Sequence, residues 1–171
     1  MKRFVFTIAA LALTAGAVVY GGKAMAAQDV KDTKQSQEII RAGSQPSMKG
    51  PAEWFTGNVT VQPLFGPKHP DAPFGAAYVT FEAGARSHWH THPTGQHLIV
   101  TEGVGLTGTA DGKIEEFKAG DALWCPKDIK HWHGASPTSS MTHIALTGAL
   151  PDGKNVDWME PVTDEQYKGG K

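Results

Sequence analysis

GARSHWHTHPTGQHLIVTEG, residues Gly84 to Gly103, is the stretch that decides how this chain is read. At its centre His90-Thr91-His92 sets two imidazoles at i and i+2, and in an extended strand residues so spaced point to the same sheet face. Two imidazoles on one face can bind one metal ion. Seven of the eight histidines fall between positions 88 and 143, with His69 as the outlier, so the clustering separates this chain from a generic strand protein. If Gln96 points inward on the strand that follows, strand alternation sends Leu98 and Val100 inward with it and His97 outward.

Around this stretch lie short segments rich in β-branched and aromatic residues, separated by Gly, Pro, Asn and Asp, at the spacing of an all-β sandwich or barrel. The predicted strands are 58–62, 76–81, 96–101, 106–110, 114–117, 122–125, 130–134 and 141–147. Asp111-Gly112 supplies the positive φ of a tight turn and makes Leu106 to Phe117 a hairpin. The chain shows no long amphipathic helix, heptad pattern or internal repeat. A short helical stretch is expected near Ser36 to Arg41 and another at Thr163 to Tyr167, with Thr163 as N-cap.

The 171 residues and 40% hydrophobic content suit one domain with one core. The net charge of −1 is spread without runs of like sign, which excludes a nucleic-acid or polybasic membrane footprint and favours a small-molecule partner. Lys2 and Arg3, the apolar run from Phe4 to Tyr20 and Ala24-Met25-Ala26 predict a secretory signal peptide over residues 1–26, cleaved after Ala26. The mature chain is then expected to be periplasmic or secreted and free of the membrane. A polar arm is expected over 27–50, a barrel over 51–162 and a tail over 163–171. The lone Cys125, in an apolar segment, cannot form a bridge within the chain and is expected to be buried and inert.

The histidine-rich segments resemble the two motifs of the cupin family, G(x)5HxH(x)3-4E(x)6G and G(x)5PxG(x)2H(x)3N. Gly84, His90, His92, Gln96 and Gly103 fall on the first, with Gln in place of Glu. Gly120, Pro126 and His131 fall on the second, with Asp128 in place of Gly and Ala135 in place of Asn. The resemblance implies a small antiparallel β-barrel or jelly roll holding one divalent metal ion on His90, His92, Gln96 and His131. It also implies a homodimer or homotetramer. An amide ligates through a neutral oxygen, so Gln96 leaves the ion a full dication. Such a donor set suits Mn, Fe, Co, Ni or Zn better than Ca.

Further segments, Gly50 to Gly57, Trp89 to Pro93, Lys130 to Gly134 and Asp157 to Glu160, resemble the bacterial cupin-type hydroxynitrile lyases. That likeness implies manganese and a lyase reaction in which a cyanohydrin such as mandelonitrile is cleaved to an aldehyde and cyanide. His143 is the candidate base and His133 the second. His88 and His133 share parity with the ligands, so either could face the cavity; both faces of 141–147 are apolar, so the direction of His143 stays open. Small or apolar side chains at Ala77, Val79, Leu98 and Thr147 are the candidates for substrate contact, while Phe81 is expected to pack in the core. Three alternatives stand beside the lyase reading. They are a metal-dependent dioxygenase, a decarboxylase or isomerase of a small acid, and a non-catalytic ligand-binding cupin; a cationic clamp would support the second, and Arg86 is the only Arg near the motif, with its direction left open by the sequence.

Overall fold

The computed structural model describes residues 36–169. The expected leader and the first part of the polar arm lie outside the described residues. Twelve strands and one short helix follow in order: β1 (Met48–Lys49), β2 (Phe55–Thr56), β3 (Val59–Phe65), β4 (Phe74–Phe81), β5 (Arg86–Ser87), β6 (His90–Thr91), β7 (Gln96–Thr109), β8 (Ile114–Lys118), β9 (Ala122–Cys125), β10 (His131–Ala135), β11 (Met141–Gly148), β12 (Asp157–Trp158) and α1 (Asp164–Tyr167). Every strand pairing is antiparallel. The strands form one curled sheet in the order β1-β3-β4-β11-β7-β10-β5-β2, with β8 and β9 also on β7 and β12 on β6. The all-β expectation holds.

Two predicted strands, 96–101 and 106–110, are one continuous strand. The intervening Gly103 and Gly105 read as turn residues in the sequence, but β7 runs through them while changing partners. Its first half pairs with β9 and β11 and its second with β8 and β10. Gly103 has φ +75°, and a Cβ there would lie 1.9 Å from the carbonyl oxygen of Ser140. Glycine is thus required for the close crossing at which the strand leaves one half of the sheet for the other. The Asp111-Gly112 hairpin is present, with Gly112 at φ +86°.

The expected helix near Ser36 to Arg41 is absent. Glu38 to Arg41 is exposed and irregular, because a stretch this short with no docked face cannot offset helix nucleation. The C-terminal helix does form. Thr163 caps it in a reciprocal capping box with Gln166.

Inward residues of β3, β4, β7, β8 and β11 build the main core around Val59, Val79, Phe81, Val100, Phe117 and Met141. Each such burial contributes about 1.5–3 kcal/mol. A second cluster joins Trp89 and Trp132 to Val162 and Tyr167 of the C-terminal segment. Arg86 fastens that segment: its Nε and Nη2 donate to the Val162 carbonyl at 3.1 and 2.9 Å, and Nη2 reaches Asp164 Oδ1 at 2.7 Å. Tyr167 Oη donates to the Ala135 carbonyl at 2.7 Å. Cys125 is buried, and desolvation pushes its thiol up to about 12, so it carries no nucleophilic thiolate.

Candidate metal centre

Antiparallel pairing of β10 with β6 sets His131 opposite His90, and His92 lies just beyond the end of β6. The potential ligand atoms of the three rings all lie within 4.8 Å of one another. Backbone carbonyls orient them. Nδ1 of His90 faces the His88 oxygen at 2.9 Å, Nδ1 of His92 the Asn155 oxygen at 2.7 Å, and Nδ1 of His131 the Ile129 oxygen at 2.8 Å. A carbonyl only accepts, so each Nδ1 bears the proton and each Nε2 is left with a lone pair.

The Ile129 carbonyl is held in place by an unusual turn. Asp128 stands at φ +61°, the one non-glycine residue with positive φ among the described residues, and its N–H donates to the His92 carbonyl at 2.9 Å. Here the Asp that replaces the motif glycine keeps glycine-like backbone geometry, which Asp tolerates better than most residues.

Gln96 opens β7. Its Nε2 donates to Thr147 Oγ1 at 2.9 Å on the facing strand. The atoms left over are informative: Nε2 of His92, Nε2 of His131 and Oε1 of Gln96 are all buried acceptors without a hydrogen-bond partner. Orphaned buried acceptors are costly and rare. A cation bound between them would satisfy all of them.

Protonation favours the same use. Burial holds the imidazolium of His90 well below its usual range, helped by the charges of His131 and His92 and opposed by the His88 carbonyl. Burial also lowers His92, against the Asn155 carbonyl and the Gln96 side chain, and lowers His131 to about 4, against the Ile129 carbonyl. At neutral pH all three are free bases, the form a metal requires. Three imidazole nitrogens and an amide oxygen fit a divalent transition ion.

Beside this group His143 Nε2 lies 3.2 Å from His133 Nδ1. Both rings are buried; desolvation lowers His143 to about 3 and His133 well below its usual range, so both are neutral at pH 7. Tertiary pairing settles the direction of His143. Met141, His143, Ala145 and Thr147 share the inner face of β11, and a register shift against β7 falls between Thr142 and His143. Such irregularities commonly re-aim side chains beside functional sites. Phe81, packed in the core as expected, braces the pair with ring centroids 5.8 Å from His133 and 5.7 Å from His143.

A cavity of about 240 Å³ opens onto His90, His92, Gln96, His133 and His143. Its walls are otherwise apolar or neutral, with Val79, Ala145, Thr147, Phe55, Trp54 and Trp158 among them, and among the described residues no Asp, Glu, Lys or Arg lines it. Of the four expected substrate contacts, Val79 and Thr147 line this cavity. Ala77 packs instead against the core, and Leu98 is fully buried outside the lining. His88 also lies outside the lining, with its N–H bonded to the Trp54 carbonyl. His97 is exposed and packs on Trp124. Arg86, tied to Val162 and Asp164, is no clamp for a substrate in the cavity.

Three contributors were not assigned to the site from the sequence. Trp54 and Trp158 stack at 5.5 Å at the cavity wall, with Trp158 4.8 Å from the His90 ring. The Asn155 carbonyl orients His92, and a backbone group leaves no mark in a side-chain pattern.

Comparison with known proteins agrees with this architecture. The family described as Cupin domain matches residues 77–145. A curated (R)-mandelonitrile lyase from Granulicella tundricola is 57% identical over 131 residues, covering 77% of this chain and 98% of the relative. The chain belongs to the cupin family. Among solved structures, a cupin-like protein from Thermotoga maritima is 35% identical to this cupin with a TM-score of 0.66, over 79% of this chain and 98% of that one. A cupin 2 conserved barrel domain protein from Rhodopseudomonas palustris shares the fold at 18% identity and a TM-score of 0.54, over 72% and 81% of the respective chains.

Proposed function

We propose that this cupin is a metal-dependent lyase that cleaves, or in reverse forms, the cyanohydrin of a compact apolar aldehyde such as benzaldehyde. The observation that carries this reading is a largely apolar cavity without charged side chains, in which a neutral histidine pair stands beside the His90, His92 and His131 group and the unpartnered Gln96 oxygen. With no charged side chain in its lining, the cavity suits a neutral substrate whose one polar group meets the metal. The 57% identity to a protein named (R)-mandelonitrile lyase supports the same reaction.

His90, His92, His131 and Gln96 would hold the ion, with Mn as the proposed metal. Bound there, a divalent ion supplies Lewis acidity, which makes a nearby hydroxyl easier to deprotonate. Trp54, Trp158 and Val79 pack the apolar part of the substrate and exclude water. His143 accepts the hydroxyl proton as one half of a hydrogen-bonded pair with His133, whose Nδ1 lies 3.2 Å from His143 Nε2 and keeps the two rings oriented. As the carbonyl forms, the bond to the nitrile carbon breaks and its electron pair leaves with cyanide. His143 then returns the proton to give hydrogen cyanide, so the base is regenerated and no external oxidant is needed.

The test is metal analysis of the purified chain, followed by mandelonitrile cleavage with and without chelator and with and without oxygen. Release of benzaldehyde and cyanide that chelation abolishes and anaerobiosis leaves unchanged is the expected result. Turnover that consumes oxygen would replace this reading with a dioxygenase.

A further inference from the structure

We propose that Thr147 acts as a positioning residue that fixes Gln96 as an oxygen ligand and so sets the affinity of the site for its metal. The inference rests on the metal reading of the centre and is independent of the reaction run there. A carboxylate has two equivalent oxygens and can turn either end to a cation. A primary amide cannot: one end accepts, the other is an N–H2 donor that a cation repels, and the two differ only by a half-turn of the side chain. Where Gln stands at this ligand position, something must take up the N–H2 end if the oxygen is to face the ion.

Thr147 is placed to do so. It lies opposite Gln96 in the β11–β7 register, both residues point inward, and Thr147 Oγ1 accepts from Gln96 Nε2 at 2.9 Å. The consequence is visible on the other end of the amide, where Oε1 is buried with no partner. As a β-branched residue in a strand, Thr147 has a restricted χ1, so the acceptor is held rather than searched for. Without that hydroxyl the ligating orientation of Gln96 would bury an unpaired N–H2 group. Thr147 also lines the cavity, but its hydrogen bond is directed at the ligand.

The experiment measures Mn2+ affinity of the full chain by competition with a chelator, for wild type, Thr147→Val, Thr147→Ser, Gln96→Ala and the Thr147→Val/Gln96→Ala pair. Loss of an outer partner commonly weakens metal binding 10- to 100-fold. Thr147→Val, nearly the same shape, should weaken binding by about that factor, with an unchanged urea midpoint for the metal-free protein. Thr147→Ser should bind within about threefold of wild type, and Thr147→Val should add nothing once Gln96 is Ala. Wild-type affinity in Thr147→Val, no rescue by Ser, or an equal loss in the Gln96→Ala background would each overturn the inference while leaving the metal centre standing. A wild-type chain that binds no divalent ion would overturn both.

Discussion

Lowering the pH of the metal-free protein from 7 to 5 should remove several kcal/mol of stability, in a window where carboxylates contribute little. The cause is the set of buried neutral imidazoles. In the unfolded chain each histidine titrates near 6.5, while in the fold desolvation lowers His131 to about 4 and His143 to about 3. With the folded pKa below the unfolded one, the unfolded state binds more protons once pH falls under 6.5. Stability is therefore full above that pH and declines as pH drops toward the folded values. At pH 5 each such group costs about 2 kcal/mol, so His131 and His143 together cost about 4 kcal/mol, and His90 and His133 act in the same direction. Against a typical total of about 5–15 kcal/mol this is a large fraction. The assay is urea unfolding of chelator-treated protein at half-unit pH intervals, repeated with saturating Mn2+. Bound metal should hold the curve up at pH values just below 6.5, because protons must then displace the ion. A metal-free stability that stays within 1 kcal/mol between pH 7 and pH 5 would refute the claim that the fold holds these rings neutral.

Three further outcomes are expected. His143→Ala should cut mandelonitrile cleavage by more than tenfold, since a general base is commonly worth 10² to 10⁴ in rate, while metal content measured on the same sample stays intact; unchanged turnover would remove His143 from the mechanism. Trp54→Ala deletes one half of the stack with Trp158 and should raise KM for aromatic cyanohydrins about 2- to 10-fold, the equivalent of about 0.5–1.5 kcal/mol of aromatic contact. Aliphatic substrates should move less, so an equal rise for both would show that the stack does not select the ring. Asp128→Gly relieves a non-glycine residue at φ +61° and should stabilise the protein by up to about 1 kcal/mol, seen as a rise of about 2–4 °C in Tm; a lower Tm would mean that the Asp side chain stabilises the turn.

The sequence by itself carried the strand pattern, the hairpin at Asp111-Gly112, the C-terminal cap at Thr163 and the motif spacing that groups His90, His92, Gln96 and His131. These are local or periodic properties, and a strand's alternation fixes which neighbours share a face as soon as one is placed. What it could not carry was anything set by strands distant in the chain. Gly103 and Gly105 look like a turn until β7 is seen crossing Ser140 and exchanging partners. The two faces of β11 are equally apolar, and only pairing with β4 and β7 turned His143 inward to meet His133. Arg86 could have been a substrate clamp until the C-terminal segment was found bound to it. The orientation of the ligands was likewise decided by tertiary structure, because the groups that orient them are backbone carbonyls of residues 88, 129 and 155 and a hydroxyl on the facing strand. A carbonyl is common to every residue, so its role arises only where folding places it.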